Sequence, residues 1–181
     1  MDYDPEALLD FFKSAGQLKH LKRTGWINSG IDNPESVADH SFRTTLMAII
    51  LSDIDGLDTL RVARMAIIHD LAEGRIGDLT PIQKEAAGEV YTKAESTEIE
   101  RLLSNLPEKM RILYSEAWNE FSNGVSEEAK LVKDADKLEM LLQSKEYEHV
   151  VDDRMKLMRF MHAEVKGLKA QEIVKILKKA S

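Results

Sequence analysis

The three- to four-residue spacing of apolar side chains is the feature that most constrains what this chain can fold into. It recurs in nearly every segment between the glycines and prolines, and no segment alternates apolar and polar residues more strongly than this helical pattern. Helices are therefore predicted over residues 4–21, 34–54, 57–74, 93–106, 107–121, 126–150 and 169–180. The expected fold class is all-α, a single-domain helical bundle over residues 1–181.

Composition and charge exclude several classes of partner. A chain of 181 residues without cysteine can bury one core, but it can form neither disulfides nor thiolate metal sites. With 25 Lys and Arg against 32 Asp and Glu, the net charge of −7 disfavours a nucleic-acid polymer as partner. No apolar run reaches the length of a membrane span and the N-terminus is acidic, so we expect a cytoplasmic protein without a membrane partner.

Several ionisable side chains fall on or beside the apolar faces of these predicted helices. In the second helix, His40 lies on the apolar stripe itself. In the third, His69 and Glu73 are four residues apart and share one face, with Asp70 about a quarter-turn away. In the sixth, Asp136 lies beside the apolar face. Three helices therefore direct histidine or aspartate toward the core.

A single histidine on an apolar stripe usually binds a backbone carbonyl, and we assign that role in the core to His20, His149 and His162. This explanation is weaker for a group of polar side chains, because each one needs its own partner when it is buried. One divalent cation would satisfy four of them together, namely His40, His69, Asp70 and Asp136. Two imidazoles and two carboxylates favour one ion of Mn, Co, Fe, Ni or Zn.

The order His40 … His69-Asp70 … Asp136 resembles the signature of the HD-domain metal-dependent phosphohydrolases, an all-helical superfamily. The resemblance also includes the segments "QLKHLKRTGW", "PESVADHS", "IIHDLAEGRIGD" and "EEAKLVKDADKLEMLLQSKEYE", which are similar to the 5′-deoxynucleotidase branch. These motifs lie within about residues 8–150. The resemblance implies an HD-type helical bundle, which the C-terminal helices over 151–181 would complete.

The resemblance also implies roles for individual residues. Metal coordination would fall to His40, His69, Asp70 and Asp136. Glu73 would orient or deprotonate the attacking water, with Asp70 also contributing to catalysis, and Arg23 would bind the phosphate. Substrate contacts would come from Arg23, Trp26, Asp78, Leu79, Thr80 and Asp136. The expected reaction removes the 5′-phosphate from deoxyribonucleoside 5′-monophosphates by attack of a metal-activated water.

Two other functions remain open at this point. Dinuclear HD proteins place extra histidines between the HD doublet and the final aspartate, whereas this chain has no histidine between Asp70 and Asp136. A site for one metal ion follows, which favours monoester hydrolysis but also fits a guanosine-tetraphosphate-type or other nucleotide phosphohydrolase. The second alternative is a non-catalytic helical module that binds a nucleotide or a metal. Glu73 argues against it, because a binding site needs no spare carboxylate beside its ligands.

The resemblance further suggests a homodimer, since members of this branch are commonly dimers. Five large apolar residues of the helices after residue 95 are candidates for the contact: Leu102, Leu103, Leu106, Trp118 and Phe121. The alternative, which the sequence leaves equally open, is that these side chains complete the core of the monomer.

Overall fold

The computed structural model describes residues 3–151 and 153–179. Its elements are α1 (Pro5–Gly16), a 3₁₀ turn (Gln17–Lys19), α2 (Thr24–Ile27), α3 (Val37–Asp55), α4 (Thr59–Ile68), α5 (Glu73–Ile76), α6 (Pro81–Leu103), α7 (Glu108–Asn123), α8 (Glu127–Tyr147), α9 (Met155–Met158), a second 3₁₀ turn (Phe160–His162) and α10 (Leu168–Lys179). Within these ranges, extended pairing is limited to an isolated antiparallel bridge between Lys22 and Ser36. The predicted all-α class is therefore confirmed.

The core forms where α3 packs along both α4 and α8, with α7 and α10 closing against α8. The predicted stripe on α3 faces this core, since Val37, His40, Thr44 and Leu51 are buried and Met47 packs against them. Its N-terminus is held by a capping box, in which Ser36 accepts from the backbone of Asp39 and the Asp39 carboxylate accepts from the backbone of Ser36. The N-terminal end of the stripe is thus fixed, and His40 lies one turn inside the helix.

The helix predicted over 57–74 is two elements, so this boundary was wrong. α4 ends at Ile68, and the backbone then forms tighter three-residue hydrogen bonds, from Leu71 N–H to Ile68 C=O and from Glu73 N–H to Asp70 C=O. The short α5 follows and ends at Gly77, whose φ of 89° is readily adopted by glycine. His69 and Asp70 therefore lie in the turn between α4 and α5 rather than within a regular helix.

A long helix begins at Pro81, well before the predicted start at residue 93. Thr80 and Gln83 form a capping box there, and proline stands at the first helical position. Most side chains between residues 82 and 90 are exposed, so this part of the sequence carries no apolar period to predict it from. Gly88 interrupts the helix with φ 51° and ψ −132°, so α6 consists of two helical pieces.

The five apolar residues proposed for a dimer contact belong to the core of the chain. Leu102, Leu103 and Trp118 are buried, and Leu106 and Phe121 pack against the same core. Their assignment to a dimer contact was therefore wrong, and the alternative that they complete the monomer core is confirmed. The sequence left both possibilities open because it does not show that α7 packs against α4, α6 and α8.

A different apolar surface is open to solvent on the outer face of α3. Phe42, Leu46, Ile50 and Ile54 follow one another at four-residue intervals and keep between 49% and 70% of their surface exposed. Four-residue steps place side chains in a row along a helix, so these residues form one continuous stripe, called here the α3 stripe. No helix in the part of the chain that the structure describes is long and apolar enough to cross a membrane.

Candidate active site

Two histidines and two aspartates meet at one point between α3, α4 and α8. His40 comes from α3 and Asp136 from α8, while His69 and Asp70 directly follow α4. The Nε2 atom of His40 lies 3.2 Å from Asp136 Oδ1 and 3.6 Å from Asp70 Oδ2. The Nε2 atom of His69 lies 3.1 Å from the same Asp70 oxygen. The structure thus brings together all four side chains that were predicted from the sequence as metal ligands.

The chemistry of these side chains fits a divalent transition-metal ion. His40 Nε2, His69 Nε2 and Asp70 Oδ2 are buried and have no hydrogen-bond partner among the described residues. Buried polar atoms are nearly always paired, so three such atoms at one point indicate a cation-binding site. One donor atom each from His40, His69 and Asp136 lies within 4.8 Å of the other two, which is close enough to share an ion. Imidazole nitrogen with carboxylate oxygen suits Mn, Fe, Co, Ni or Zn.

The second nitrogen of each imidazole is engaged, so that Nε2 faces the cluster. The backbone carbonyl of Ala66 lies 2.7 Å from His69 Nδ1, which donates to it across the last turn of α4. His40 Nδ1 bonds to the carboxylate of Glu139, which is fully buried on α8. Such partners fix the tautomer and the ring orientation of metal-binding histidines. Both rings are therefore oriented before any ion binds.

Glu139 and Arg43 are functional residues that the sequence reading missed. Asp136 and Glu139 lie one turn apart on α8 and reach the two nitrogens of His40 from either side. Arg43 donates to Glu139 Oε1 at 2.9 Å from Nε and at 2.7 Å from a terminal nitrogen. The Glu139 charge is thus balanced inside the protein. Glu139 lies only three residues after Asp136, but 99 residues separate it from His40, and only the fold shows the contact.

Arg23 faces the cluster and is held there by two carboxylates. A terminal nitrogen of Arg23 lies 3.0 Å from Asp78 Oδ1 and 3.5 Å from Asp70 Oδ2. Burial alone would lower the pKa of Arg23, but Asp70 and Asp78 outweigh it and raise that pKa, so the guanidinium stays charged. The second Asp78 oxygen accepts from the Thr24 N–H. In this structure Asp78 therefore supports Arg23, and its predicted contact with the sugar stays a prediction.

Glu73 is buried beside the cluster with one oxygen paired and the other open. Its side chain is fully buried, and Oε1 lies 2.9 Å from the ammonium nitrogen of Lys84, a residue that the sequence reading missed. Oε2 has no hydrogen-bond partner within the described ranges. Burial and the neighbouring Asp70 raise the pKa of Glu73 well above its usual range, whereas Lys84 lowers it. Glu73 is thus a carboxyl group that is suited to exchanging a proton.

A cavity of about 480 Å³ lies over these groups. Its wall includes all the residues that the sequence predicted as substrate contacts: Arg23, Trp26, Asp78, Leu79, Thr80 and Asp136. Asp70 and Asp136 connect the cavity to the four-residue cluster. Lys84 and Phe160 also line it. The volume suits a small organic ligand rather than a polymer.

Trp26 forms a fixed part of the cavity wall. It keeps only 2% of its surface exposed, and its ring packs against Phe160 at 4.2 Å and Tyr147 at 5.3 Å between centroids. The indole N–H donates to Glu35 Oε1 at 2.8 Å, and the backbone N–H of Glu35 donates to the Tyr147 hydroxyl. Phe160 lies beyond the motifs, so the C-terminal segment contributes to the cavity as well as to the bundle.

The other three histidines are not part of the metal-binding cluster. His20, His149 and His162 are exposed, so the core position predicted for them was wrong. Each lies at or near the end of a helix or a 3₁₀ turn. Residues at such ends are poorly placed to enter a core, and their spacing along the sequence does not reveal this.

Comparison with known proteins identifies the family of the chain. The family model described as HD domain matches residues 15–178. The chain is 39% identical over 162 residues to the 5′-deoxynucleotidase HDDC2 of Dictyostelium discoideum, covering 84% of this chain and 85% of that one. It is 36% identical over 171 residues to the human 5′-deoxynucleotidase HDDC2, covering 94% of this chain and 83% of that one.

A solved structure gives the same result for the fold. The predicted metal-dependent phosphohydrolase from Magnetospirillum magnetotacticum MS-1 superposes with a TM-score of 0.73 at 27% identity, covering 97% of this chain and 91% of that one. Fold and site together define an all-helical protein with a buried cluster of two histidines and two aspartates. The chain belongs to the HD domain family.

The first prediction concerns the metal. We expect the purified protein to hold about one transition-metal ion per chain and to melt at a lower temperature after chelation, because an ion that binds only the native state stabilises it. Elemental analysis and thermal melts measure both effects. Asp136→Asn should lose occupancy, whereas Asp10→Asn, on the exposed face of α1, should keep it. Equal melting temperatures with and without metal, together with no specific binding, would contradict the assignment.

Proposed function

We propose that this chain is a 5′-deoxynucleotidase, a phosphoric monoester hydrolase that converts a deoxyribonucleoside 5′-monophosphate to the nucleoside and inorganic phosphate. The observation that carries the proposal is a cavity lined by Arg23 and by two members of the metal-binding cluster, Asp70 and Asp136. The buried Glu73 lies behind its wall, paired with the lining residue Lys84. The similarity to two proteins named 5′-deoxynucleotidase, over most of both chains, supports the same activity. The nucleotide is a small ligand, which suits the size of the cavity.

The cofactor in this proposal is one divalent transition-metal ion held by His40, His69, Asp70 and Asp136. When bound, such an ion would lower the pKa of a water molecule to roughly 7 and polarise a phosphoryl oxygen. Arg23 binds the phosphate, since a charged guanidinium donates paired N–H groups to oxyanions. Its ion pairs with Asp70 and Asp78 hold it next to the cluster before substrate arrives.

Glu73 acts as the general base in this scheme. Its Oε1 is engaged by Lys84, so Oε2 is the oxygen that can take the proton of the attacking water. The new bond forms between the water oxygen and phosphorus, and the bond between phosphorus and the 5′-oxygen breaks. The leaving 5′-oxygen takes up a proton from solvent and departs as the nucleoside hydroxyl, and Glu73 returns the proton that it accepted to solvent.

Two observations favour this function over the alternatives that the sequence left open. The cavity wall holds as many carboxylates as cations, with Asp70, Asp78 and Asp136 set against Arg23, Lys84 and Lys137. That balance suits one terminal phosphate better than the two diphosphates of guanosine tetraphosphate. Glu73 argues against a non-catalytic module, because burying a carboxyl group that coordinates nothing costs stability without serving binding.

The second prediction distinguishes the role of Glu73 as general base from that of a metal ligand. Glu73→Gln keeps the shape of the side chain but cannot accept a proton, so we expect kcat to fall roughly a hundredfold or more while the metal content is unchanged. Phosphate release from deoxyadenosine 5′-monophosphate measures kcat. Glu98→Gln is the matched control, since Glu98 is also buried and ion-paired but contacts Arg101 away from the cavity. Near-normal turnover of a fully metallated Glu73→Gln protein would show that another group accepts the proton.

The third prediction concerns the sugar. We propose that Trp26 excludes a 2′-hydroxyl by shape and that the base is selected little. Asp78, in the turn that also holds Leu79 and Thr80, would accept a hydrogen bond from the 3′-hydroxyl of the sugar. Discrimination by shape gives kcat/KM ratios for deoxyadenosine over adenosine 5′-monophosphate on the order of tenfold to a few hundredfold. Trp26→Ala should narrow this ratio by improving ribonucleotide turnover. Equal kcat/KM values for the two nucleotides in the wild-type protein would contradict the sugar proposal and leave the phosphohydrolase proposal standing.

The burial of Trp26 requires a second variant and a control. Truncating a buried tryptophan to alanine costs about 3–5 kcal/mol of stability, so Trp26→Phe keeps most of the packing while opening the wall. Trp118→Phe changes a second buried tryptophan in the core, with no contact to the cavity, and should leave the sugar ratio unchanged.

We also propose that two copies of the chain form a homodimer through the α3 stripe. Four large apolar side chains in one exposed row form a larger apolar surface than singly scattered residues do. A helix face can pack against its own symmetry copy, because a two-fold axis brings the same residues together from both sides. A second copy is therefore the occupant that we propose for this face.

The fourth prediction tests that contact. Wild-type protein should show a mass near 41 kDa by light scattering at micromolar concentration, twice the 20.5 kDa of one chain. Ile50→Glu should convert it to the monomer, since a charge buried in an apolar interface is costly. Ile112→Glu alters an exposed apolar residue on α7 and should leave the dimer intact. A wild-type mass of one chain would contradict the dimer.

Other partner and location assignments from the sequence remain proposals. The net charge of −7 still disfavours a nucleic-acid polymer. The cytoplasmic location, the absence of a membrane partner and the single HD domain over residues 1–181 are retained as proposals on the sequence arguments given above.

A further inference from the structure

Lys84 enters the cavity from the first turns of α6 and ends on the carboxylate of Glu73. Its ammonium nitrogen lies 2.9 Å from Glu73 Oε1 and 5.2 Å from the centroid of the Tyr91 ring. One third of the Lys84 side chain is exposed, toward the cavity that it lines, while the Glu73 side chain is fully buried. The contact is therefore a bridge from the cavity wall to a carboxylate that solvent does not reach.

The backbone that carries Lys84 is fixed independently of this contact. The Lys84 N–H donates to the Thr80 carbonyl at 2.9 Å, within a turn closed by the capping box of Thr80 and Gln83. Just before it, Asp78 is bound to Arg23 and to the backbone of Thr24. The side chain of Lys84 thus starts from an anchored turn, and its reach to Glu73 is set by the fold.

The pairing distinguishes the two oxygens of Glu73. A carboxylate has two equivalent oxygens, and rotation about its last bond exchanges them with little hindrance. With Oε1 held by Lys84, Oε2 remains as the oxygen without a hydrogen-bond partner in the described parts of the chain. A general base works best when the oxygen that accepts the proton is held in one orientation, because catalysis depends on a well-oriented reactive geometry.

Lys84 could instead be a second cation for the phosphate, since Arg23 and Lys84 line the same cavity. The contacts argue against this. Arg23 is directed to Asp70, one of the metal-binding residues, whereas the ammonium of Lys84 is engaged by Glu73. On the basis of the proposed function, we infer that Lys84 is a positioning residue that holds Oε1 of Glu73 and leaves Oε2 to accept the proton.

The fifth prediction tests this role with Lys84→Met and Lys84→Arg. Methionine keeps much of the length without the charge, so kcat should fall about tenfold or more, as part of the general-base contribution is lost. KM for deoxyadenosine 5′-monophosphate, inhibition by inorganic phosphate and the metal content should not change. Arginine retains a cation for Oε1 and should restore most of kcat. Lys130→Met, on the exposed face of α8, is the matched control and should behave as wild type.

A double-mutant cycle separates action through Glu73 from action on the phosphate. In a Glu73→Gln background, Lys84→Met should lower kcat little further, since residues that act through one another are not additive. A full further loss in that background would overturn the inference. So would a raised KM and weaker phosphate inhibition at unchanged kcat, and so would wild-type kinetics of Lys84→Met. Absence of phosphatase activity in the wild-type protein would instead overturn the proposed function.

Discussion

The hydrogen bond between His40 and Glu139 holds α3 against α8 beside the metal-binding cluster, and the rest of the site depends on it. Glu139 is fully buried, and its charge is balanced by Arg43, which also binds Glu146 on the same helix. Removing one member of such a buried ionic set leaves an unpaired charge, which costs several kcal/mol. The relative position of α3 and α8 is therefore set by polar chemistry as well as by apolar packing. The position of Asp136, one turn before Glu139 on α8, is set by this alignment.

The sequence predicted the centre of the site and missed its surroundings. His40 and Asp136 could be placed because they interrupt, or lie beside, apolar faces of long helices whose period is clear. His69 and Asp70 were predicted as ligands, although the helix that was expected to carry them ends at Ile68. That ending depends on local three-residue hydrogen bonds, which an apolar period does not report. The contacts that hold the ligands in place join residues far apart in sequence, as Glu139 does with His40.

Lys84 was missed for a different physical reason. The first piece of α6 exposes most of its side chains, so it has no apolar face from which a helix or a direction could be predicted. Trp26 was found, but the residues that fix it were not, since Phe160 lies beyond the family motifs. The proposed phosphate side of the cavity is thus built from the motif region, while the proposed sugar side combines Trp26 with the C-terminal segment.

Gly88 divides α6 into two helical pieces that have different roles. The piece before it carries Lys84 along the cavity, and the piece after it buries Ile99, Leu102 and Leu103 in the core. Its φ of 51° and ψ of −132° are accessible to glycine but strained for other residues. The helix changes direction at this residue, so the direction of the piece that carries Lys84 is set separately from the direction of the piece that packs in the core.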